Sequence, residues 1–205
     1  MEGLRFLGYK CRHFPIEMTG LRNGELRIDY AQVQQYDALG DIPIARFYPE
    51  LDRQFPNSKF ILTVRESQAW LDSCRRHFRA GRWANNSTTA RLHEDLYGPA
   101  EFDEHRYRLA YQRFVDGVGV YFRDREDDLL VLNICAGDGW KKLCPFVGER
   151  LPWYRFPKCN LRGKSRKYLL GRATGATKAF WRRLSAPQVP NHDMLADNFR
   201  IRIPR

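Results

Sequence analysis

The chain has 205 residues and a formal net charge of +11, and 43% of its residues are hydrophobic. This apolar content is enough for a folded core, which excludes a wholly disordered protein. No apolar run approaches the roughly 18 residues that span a bilayer, so we do not expect a transmembrane protein. The amino terminus carries Glu2 and lacks a long apolar stretch, so it does not predict a signal peptide.

The cysteines are odd in number and widely spaced, without CxxC or Cys/His ligand spacing. This pattern favours reduced thiols over a disulfide framework or a zinc site. We therefore expect a cytoplasmic protein with no metal site. The five cysteines are Cys11, Cys74, Cys135, Cys144 and Cys159.

The positive charge is concentrated in one segment. Residues Leu151–Arg205 contain 13 Lys and Arg and 2 acids, whereas the rest of the chain has 22 bases and 22 acids. Within this segment, Arg155–Arg183 contains ten bases and no acid. Such a run predicts a polyanionic partner, which could be nucleic acid, anionic lipid or an acidic substrate.

Several elements can be predicted in the first third of the chain. Glu2–Gly8 has the pattern of a helix end, and Tyr9–Phe14 that of a short strand before Pro15. Phe47–Phe55 is predicted to be helical. The apolar, β-branched run Lys59–Val64 is typical of a strand that is buried on both faces of a parallel sheet.

The second half continues the alternation of strand and helix. Ser67–Phe78 and Asp103–Arg123 have helical spacing of apolar residues, and Asp128–Cys135 is a second buried strand. A helix is predicted over Trp140–Val147, with Asp138 placed to cap its free amides. This order favours an α/β fold whose strands are joined by crossover helices.

The most informative chemistry lies directly after the strand Lys59–Val64. Arg65 lies at the carboxyl end of that strand, where open α/β sheets bind their ligands, and Ser73 follows about two helical turns later. A guanidinium and a hydroxyl in these places can hold a phosphate from two sides. In the alternative interpretation, Arg65 pairs with Glu66 or Asp72, and Ser73 is a helix-surface residue.

The stretch Phe55–Ser73 resembles sulfotransferases that use PAPS (3′-phosphoadenosine 5′-phosphosulfate). In that family, the strand, the Arg and a Ser eight residues later bind the 3′-phosphate. The resemblance extends over about Leu4–Asn160. Further similar stretches are Tyr36–Pro43, Tyr121–Arg125, Leu129–Leu132, Gly137–Gly148 and Phe156–Asn160.

The resemblance implies a three-layer α/β fold of the P-loop NTPase type, with a parallel sheet and flanking helices. It implies a domain over residues 1–160, followed by a basic tail over 161–205. The implied activity is in-line transfer of a sulfuryl group from PAPS, as co-substrate, to a hydroxyl or amine acceptor without a metal. Arg65 and Ser73 would then bind the 3′-phosphate of PAPS and of its product PAP.

One departure from the family pattern concerns the phosphate-binding loop between the first strand and the first helix. The sequence reaches Gly8-Tyr9-Lys10, which resembles the end of that helix, without a preceding strand and loop. Three explanations stand: a truncated reading of a longer gene, a shortened non-catalytic relative, or a divergent anion site that uses the basic tail. We favour the first, because the lost strand would leave unpaired edges inside the sheet. Without the loop, we expect little or no transfer by this chain.

Sulfuryl transfer also requires a base that takes the acceptor proton. The candidates are His13 and Glu17, which follow the second strand of the family pattern, and Asp41, which would precede a strand at Ile44. Alternatively, His13 only makes structural hydrogen bonds and Asp41 is a turn residue before Pro43. The four other histidines are expected at the surface: His77, His93, His105 and His192.

Two further features leave alternatives open. Trp70 and Trp140 could stack on an adenine, although core packing is favoured. Arg162–Lys167 is either an anion-binding loop or a solvated basic run. The alternative to an enzyme is a non-catalytic protein that uses the sulfotransferase fold as a scaffold and Arg155–Arg183 to bind nucleic acid or another polyanion. The presence of Arg65 and Ser73 argues against this alternative.

Overall fold

A computed structural model describes residues 1–78, 87–99, 101–157 and 199–202. The helices are α1 (Glu2–Phe6), α2 (Tyr30–Val33), α3 (Ile42–Gln54), α4 (Ser67–His77), α5 (Ser87–Tyr97), α6 (Glu104–Tyr121) and α7 (Trp140–Val147). The strands are β1 (Cys11–His13), β2 (Thr19–Arg22), β3 (Glu25–Ile28), β4 (Ala38–Gly40), β5 (Lys59–Thr63), β6 (Leu129–Leu132) and β7 (Phe199–Arg202). Within the described ranges, no helix has the length and apolar character needed to cross a bilayer.

Five strands form the central sheet in the order β1-β4-β7-β5-β6. β1 is parallel to β4 and β5 is parallel to β6, whereas β7 is antiparallel to both of its neighbours. The four strands of this sheet that come from the first 132 residues, β1, β4, β5 and β6, therefore all run in one direction, as predicted for an α/β sheet. The sheet as a whole is mixed, because β7 runs the other way.

The strand β7 fills the space between β4 and β5. Ile201 lies opposite Leu39 on one side and opposite Phe60 on the other, and all three side chains are fully buried. The inner edge of β5, which we expected to be unpaired, is thus hydrogen-bonded to a strand from far along the chain. The predicted division into 1–160 and 161–205 stays a prediction, since residues 158–198 and 203–205 lie outside the described residues.

The sheet is covered by helices on both faces because successive side chains of a strand point to opposite sides. Leu39, Phe60 and Ile201 face a core formed with α3, α5 and α6. Ala38 and Ile61 face a second core, formed with α1 and α7. This arrangement buries both faces, which explains the near-continuous apolar sequence of β5.

The structure corrects two local predictions. Ile44 belongs to the helix α3, not to a strand, because the Asp41 side chain accepts from the backbone N–H of Ile42 and Pro43 follows in the first turn. Asp138 does not cap α7. Its Oδ2 accepts instead from the Asn133 backbone N–H at 2.7 Å and from Lys142 Nζ at 2.8 Å.

Several elements were not predicted, among them the strands β2 and β3 and the helix α5. The strands β2 and β3 form a hairpin around Asn23-Gly24, where both residues have positive φ, as the tight hairpin turns require. The helix α5 lies in a stretch between Phe78 and Asp103 for which the sequence analysis predicted no element. Elsewhere β6 ends at Leu132, three residues before the predicted end.

Candidate functional site

Parallel strands bring the predicted site residues to one edge of the sheet. His13 is the last residue of β1 and is paired with Gly40, the last residue of β4, so Asp41 follows directly beside it. Arg65 comes two residues after the end of β5. Because these strands run in the same direction, all three residues lie at the carboxyl ends of the strands, which we call the carboxyl edge.

His13 and Asp41 are in contact at this edge. The His13 Nε2 atom lies 3.4 Å from Asp41 Oδ2, and the Asp41 side chain is 1% exposed. Asp41 Oδ1 accepts a hydrogen bond of 2.7 Å from the Ile42 backbone N–H. Asp41 therefore caps α3 and also lies beside the imidazole, while its role as a base stays a prediction.

Arg65 and Ser73 are also in contact. Arg65 Nη1 donates to Ser73 Oγ at 3.3 Å, and Ser73 Oγ donates to the Ala69 carbonyl at 3.1 Å. Ser73 is only 3% exposed, so it is not the surface residue of the alternative interpretation. The strand–Arg–helix–Ser spacing thus brings a guanidinium and a hydroxyl together.

The acids near Arg65 are engaged elsewhere. The Glu66 carboxylate accepts from the backbone N–H groups of Gln68 and Ala69 at the start of α4, and these bonds lower the pKa of Glu66. Asp72 forms an ion pair with Arg75. In the described part of the chain, Arg65 has neither Glu66 nor Asp72 as an ion-pair partner, which removes the alternative interpretation.

The backbone of Arg65 is fixed by Tyr111 of α6. The Tyr111 hydroxyl donates to the Arg65 carbonyl at 3.0 Å and accepts from the Arg65 N–H at 3.2 Å. The Tyr111 ring packs against Trp70, with 4.6 Å between ring centroids. Trp70 and Trp140 are 1% and 7% exposed, so both have the core-packing role that we favoured over adenine stacking.

Sequence reasoning missed Arg76. Its Nη2 atom donates to the same Ser73 Oγ at 3.2 Å, so two guanidinium groups converge on one hydroxyl. The signal was available, because residues three apart lie on the same face of a helix. Tyr111 lies within the predicted helix Asp103–Arg123, but its hydroxyl contact with Arg65 could not be predicted from spacing.

Tyr97 is buried in a cluster of aromatic side chains that includes Trp70 and Tyr107. Its pKa is raised well above the ordinary value, first by burial and then by the nearby Cys74 and Asp41. Burial raises the pKa of the Cys74 thiol, against the opposing effect of Arg65 and Arg76.

The comparison with known families agrees with this geometry. A protein-family model described as a sulfotransferase domain matches residues 30–165, about two thirds of the chain. The chain belongs to the sulfotransferase family. The matched range includes Asp41, Arg65 and Ser73, whereas His13 precedes it. No curated protein matches the sequence.

The structure also places the remaining candidates of this sulfotransferase. Glu17 accepts a hydrogen bond of 2.6 Å from Arg12 Nε in an exposed ion pair. His105 is exposed and His77 is half-buried. His192 and Arg162–Lys167 lie outside the described residues.

The prediction for His93 was wrong. This histidine is 1% exposed, and its Nε2 lies 2.8 Å from the Tyr107 hydroxyl. Burial lowers its pKa to about 4. The reason is the helix α5, which the sequence analysis did not predict and which carries His93 into the core.

Proposed function

We propose that this sulfotransferase binds PAPS at the carboxyl edge and transfers its sulfuryl group to a hydroxyl or amine acceptor. The observation that carries the proposal is the contact of Arg65 with the buried Ser73 at the end of β5. The position matches the site that the family resemblance implies for the 3′-phosphate. A three-layer arrangement of the P-loop type belongs to the same proposal.

The residues present fit an anionic ligand. The Nε atom of Arg65 is buried and has no hydrogen-bond partner within the described part of the structure. A buried donor without a partner costs about 1–3 kcal/mol, so a phosphate oxygen at this point would relieve that cost. A guanidinium can also bind a phosphate through two parallel N–H groups. The contact of Arg65 with the Ser73 hydroxyl uses only one N–H group.

The pair His13–Asp41 would carry the proton transfer. Asp41 Oδ2 lies 3.4 Å from His13 Nε2, so a carboxylate is held beside the imidazole that would take the acceptor proton. Asp41 then stabilises the imidazolium that forms. Because Asp41 is almost fully buried and hydrogen-bonded to Ile42, it is a fixed positioning residue.

PAPS, when bound, supplies the sulfuryl group and a phosphate leaving group. The acceptor oxygen or nitrogen forms a bond to sulfur while the bond from sulfur to the 5′-phosphate oxygen breaks. The acceptor proton goes to His13, and PAP leaves with the electron pair of the broken bond. Cationic donors that offset charge on the oxygens around sulfur would lower the barrier further.

A second function is favoured by the charge distribution alone. Arg155–Arg183 carries ten bases and no acid, which supports binding of a polyanion. Arg155 is exposed, and residues 158–183 lie outside the described residues. Binding of heparin or duplex DNA that falls steeply with salt would support this role, because each neutralised phosphate releases counterions.

Thermal unfolding with added nucleotide tests the proposed function. We expect PAP to raise the melting temperature of the full chain, and adenosine 5′-phosphate, which lacks the 3′-phosphate, to raise it much less. Arg65→Ala should remove about 1.5–3 kcal/mol of binding free energy, the contribution of a charged hydrogen bond.

The matched control is Arg108→Ala. Arg108 also loses one positive charge when replaced, but it pairs with Glu104 and Gln68 on the surface of α6 and α4. It should therefore leave the response to PAP unchanged. An equal response to both nucleotides, or an equal effect of both variants, would contradict the proposal.

A further inference from the structure

Two neighbouring arginines at the end of α4 have different surroundings. Arg75 is paired with the carboxylates of Asp72 and Glu104. Arg76 donates instead to the hydroxyl of Ser73 at 3.2 Å, and among the described residues it has no carboxylate partner. The two residues carry the same charge on the same helical turn, so the difference lies in the direction of the side chains.

Arg65 and Arg76 approach Ser73 from different elements. Arg65 follows strand β5, whereas Arg76 lies one turn after Ser73 on α4. Both terminal nitrogens lie within 3.3 Å of the one Oγ atom. Each guanidinium has five N–H donors. The Ser73 hydroxyl oxygen accepts only one hydrogen bond from each of the two guanidinium groups. Among the described residues, most N–H donors of the two guanidinium groups therefore have no protein acceptor.

The local charge is not balanced by a nearby acid. Two guanidinium groups repel each other when they share one neutral acceptor, and in the described part of the chain neither is neutralised by an ion pair. Arrangements of this kind are stabilised when an anion lies between the cations.

We propose that Arg76 is a third ligand of the 3′-phosphate and that Arg65, Ser73 and Arg76 together select a phosphate monoester dianion. This inference rests on the proposed function, in which the same site binds PAPS. A terminal monoester has three free oxygens and about two negative charges, which two guanidiniums and a hydroxyl can match. A diester or a nucleotide without a 3′-phosphate offers less charge and fewer oxygens.

The test compares Arg76→Ala with Arg75→Ala in the full chain by isothermal titration calorimetry. Both variants remove one positive charge from adjacent positions of α4, so general electrostatic attraction changes equally. The ligands are PAP, adenosine 3′-phosphate and adenosine 5′-phosphate. Because Arg76 is exposed, its replacement should not affect folding, and thermal unfolding without ligand verifies this.

We expect Arg76→Ala to weaken binding of PAP and adenosine 3′-phosphate about tenfold, which corresponds to about 1.4 kcal/mol. Arg75→Ala should change these affinities by less than about twofold. Arg76→Lys should fall between wild type and Arg76→Ala, since it keeps the charge but loses the planar donors. Binding of adenosine 5′-phosphate should not respond to Arg76.

The outcomes separate this inference from the proposed function. If PAP binds and depends on Arg65 but not on Arg76, the inference is wrong and the proposed function stands. If the two neighbouring variants weaken PAP equally, Arg76 acts only through general charge, which also overturns the inference. If wild type does not bind PAP, the proposed function itself fails.

Discussion

The hydroxyl of Tyr111 is bonded to both backbone groups of Arg65, at 3.0 Å to the carbonyl and 3.2 Å to the N–H. The two residues are 46 positions apart in the chain, and the contact fixes the turn after β5 to the middle of α6. The guanidinium of Arg65 therefore depends on a residue that no ligand needs to touch. Tyr111 is a positioning residue in this account.

Tyr111→Phe tests that dependence. The substitution keeps the ring against Trp70 but removes both hydrogen bonds, each worth about 0.5–1.5 kcal/mol. We expect lower thermal stability and PAP binding that is several-fold weaker by calorimetry. Tyr121→Phe is the control, since it removes the 2.8 Å bond from α6 to Asp52, away from the site. It should lower stability without changing PAP affinity, and a similar loss of affinity in both variants would contradict a positioning role.

The proposed base can be distinguished from its neighbour Glu17. We expect transfer from labelled PAPS by this chain to be slow, and His13→Ala should reduce that rate further by about 10²–10⁴, the usual contribution of general base catalysis. PAP affinity should remain within about twofold of wild type, because His13 acts on the acceptor. Glu17→Ala should not change the rate, since Glu17 is paired with Arg12 at the surface. A large effect of Glu17→Ala with none of His13→Ala would reverse the assignment.

His93 predicts a pH dependence of stability. Its pKa is about 4 in the folded protein and about 6.5 when unfolded, so between these values the unfolded chain binds more protons. Stability should be complete above pH 6.5 and fall by roughly 3 kcal/mol as the pH drops to 4. Urea unfolding across this range measures the loss. His93→Gln should flatten the profile over this interval, and an unchanged profile would show that other groups cause the pH dependence.

The place of β7 in the sheet is tested by Ile201. Ile201→Ala removes a fully buried side chain between Leu39 and Phe60, so it should lower the free energy of unfolding by about 2–5 kcal/mol. Val120→Ala removes a smaller apolar group from an exposed position of α6, and its effect should stay within about 0.5 kcal/mol. Equal small effects of the two substitutions would mean that β7 does not lie in the core.

Local patterns predicted the elements that carry strong periodicity. The buried run of β5 and the amphipathic spacing of α4 and α6 lie within a residue or two of their predicted bounds. The same patterns brought Arg65 and Ser73 together, because strand length and helical rise fix their separation. The start of the helix α3 was predicted too far along the chain. Asp41-Ile42-Pro43 has the pattern of a helix start, but we interpreted the residues at Ile44 as a strand.

The elements that were missed depend on contacts between distant residues. β4 has three residues and is too short for a pattern, and β7 is defined by strands that precede it by more than 130 positions. The burial of His93 follows from packing of α5 on α6, where it contacts Tyr107. Helical spacing predicts that Arg76 lies on the same face of α4 as Ser73. Only the structure shows that Arg76 donates to Ser73, whereas Arg75 forms ion pairs with acidic residues.

A crystal structure of the full chain with PAP is the most direct test of the central claim. The account predicts the 3′-phosphate at the carboxyl edge, with its oxygens about 3 Å from the guanidinium of Arg65 and from Ser73 Oγ. The 5′-phosphate should point toward His13 and Asp41, where the reacting sulfur would lie. Well-ordered PAP bound elsewhere, with Arg65 still donating only to Ser73, would contradict the account.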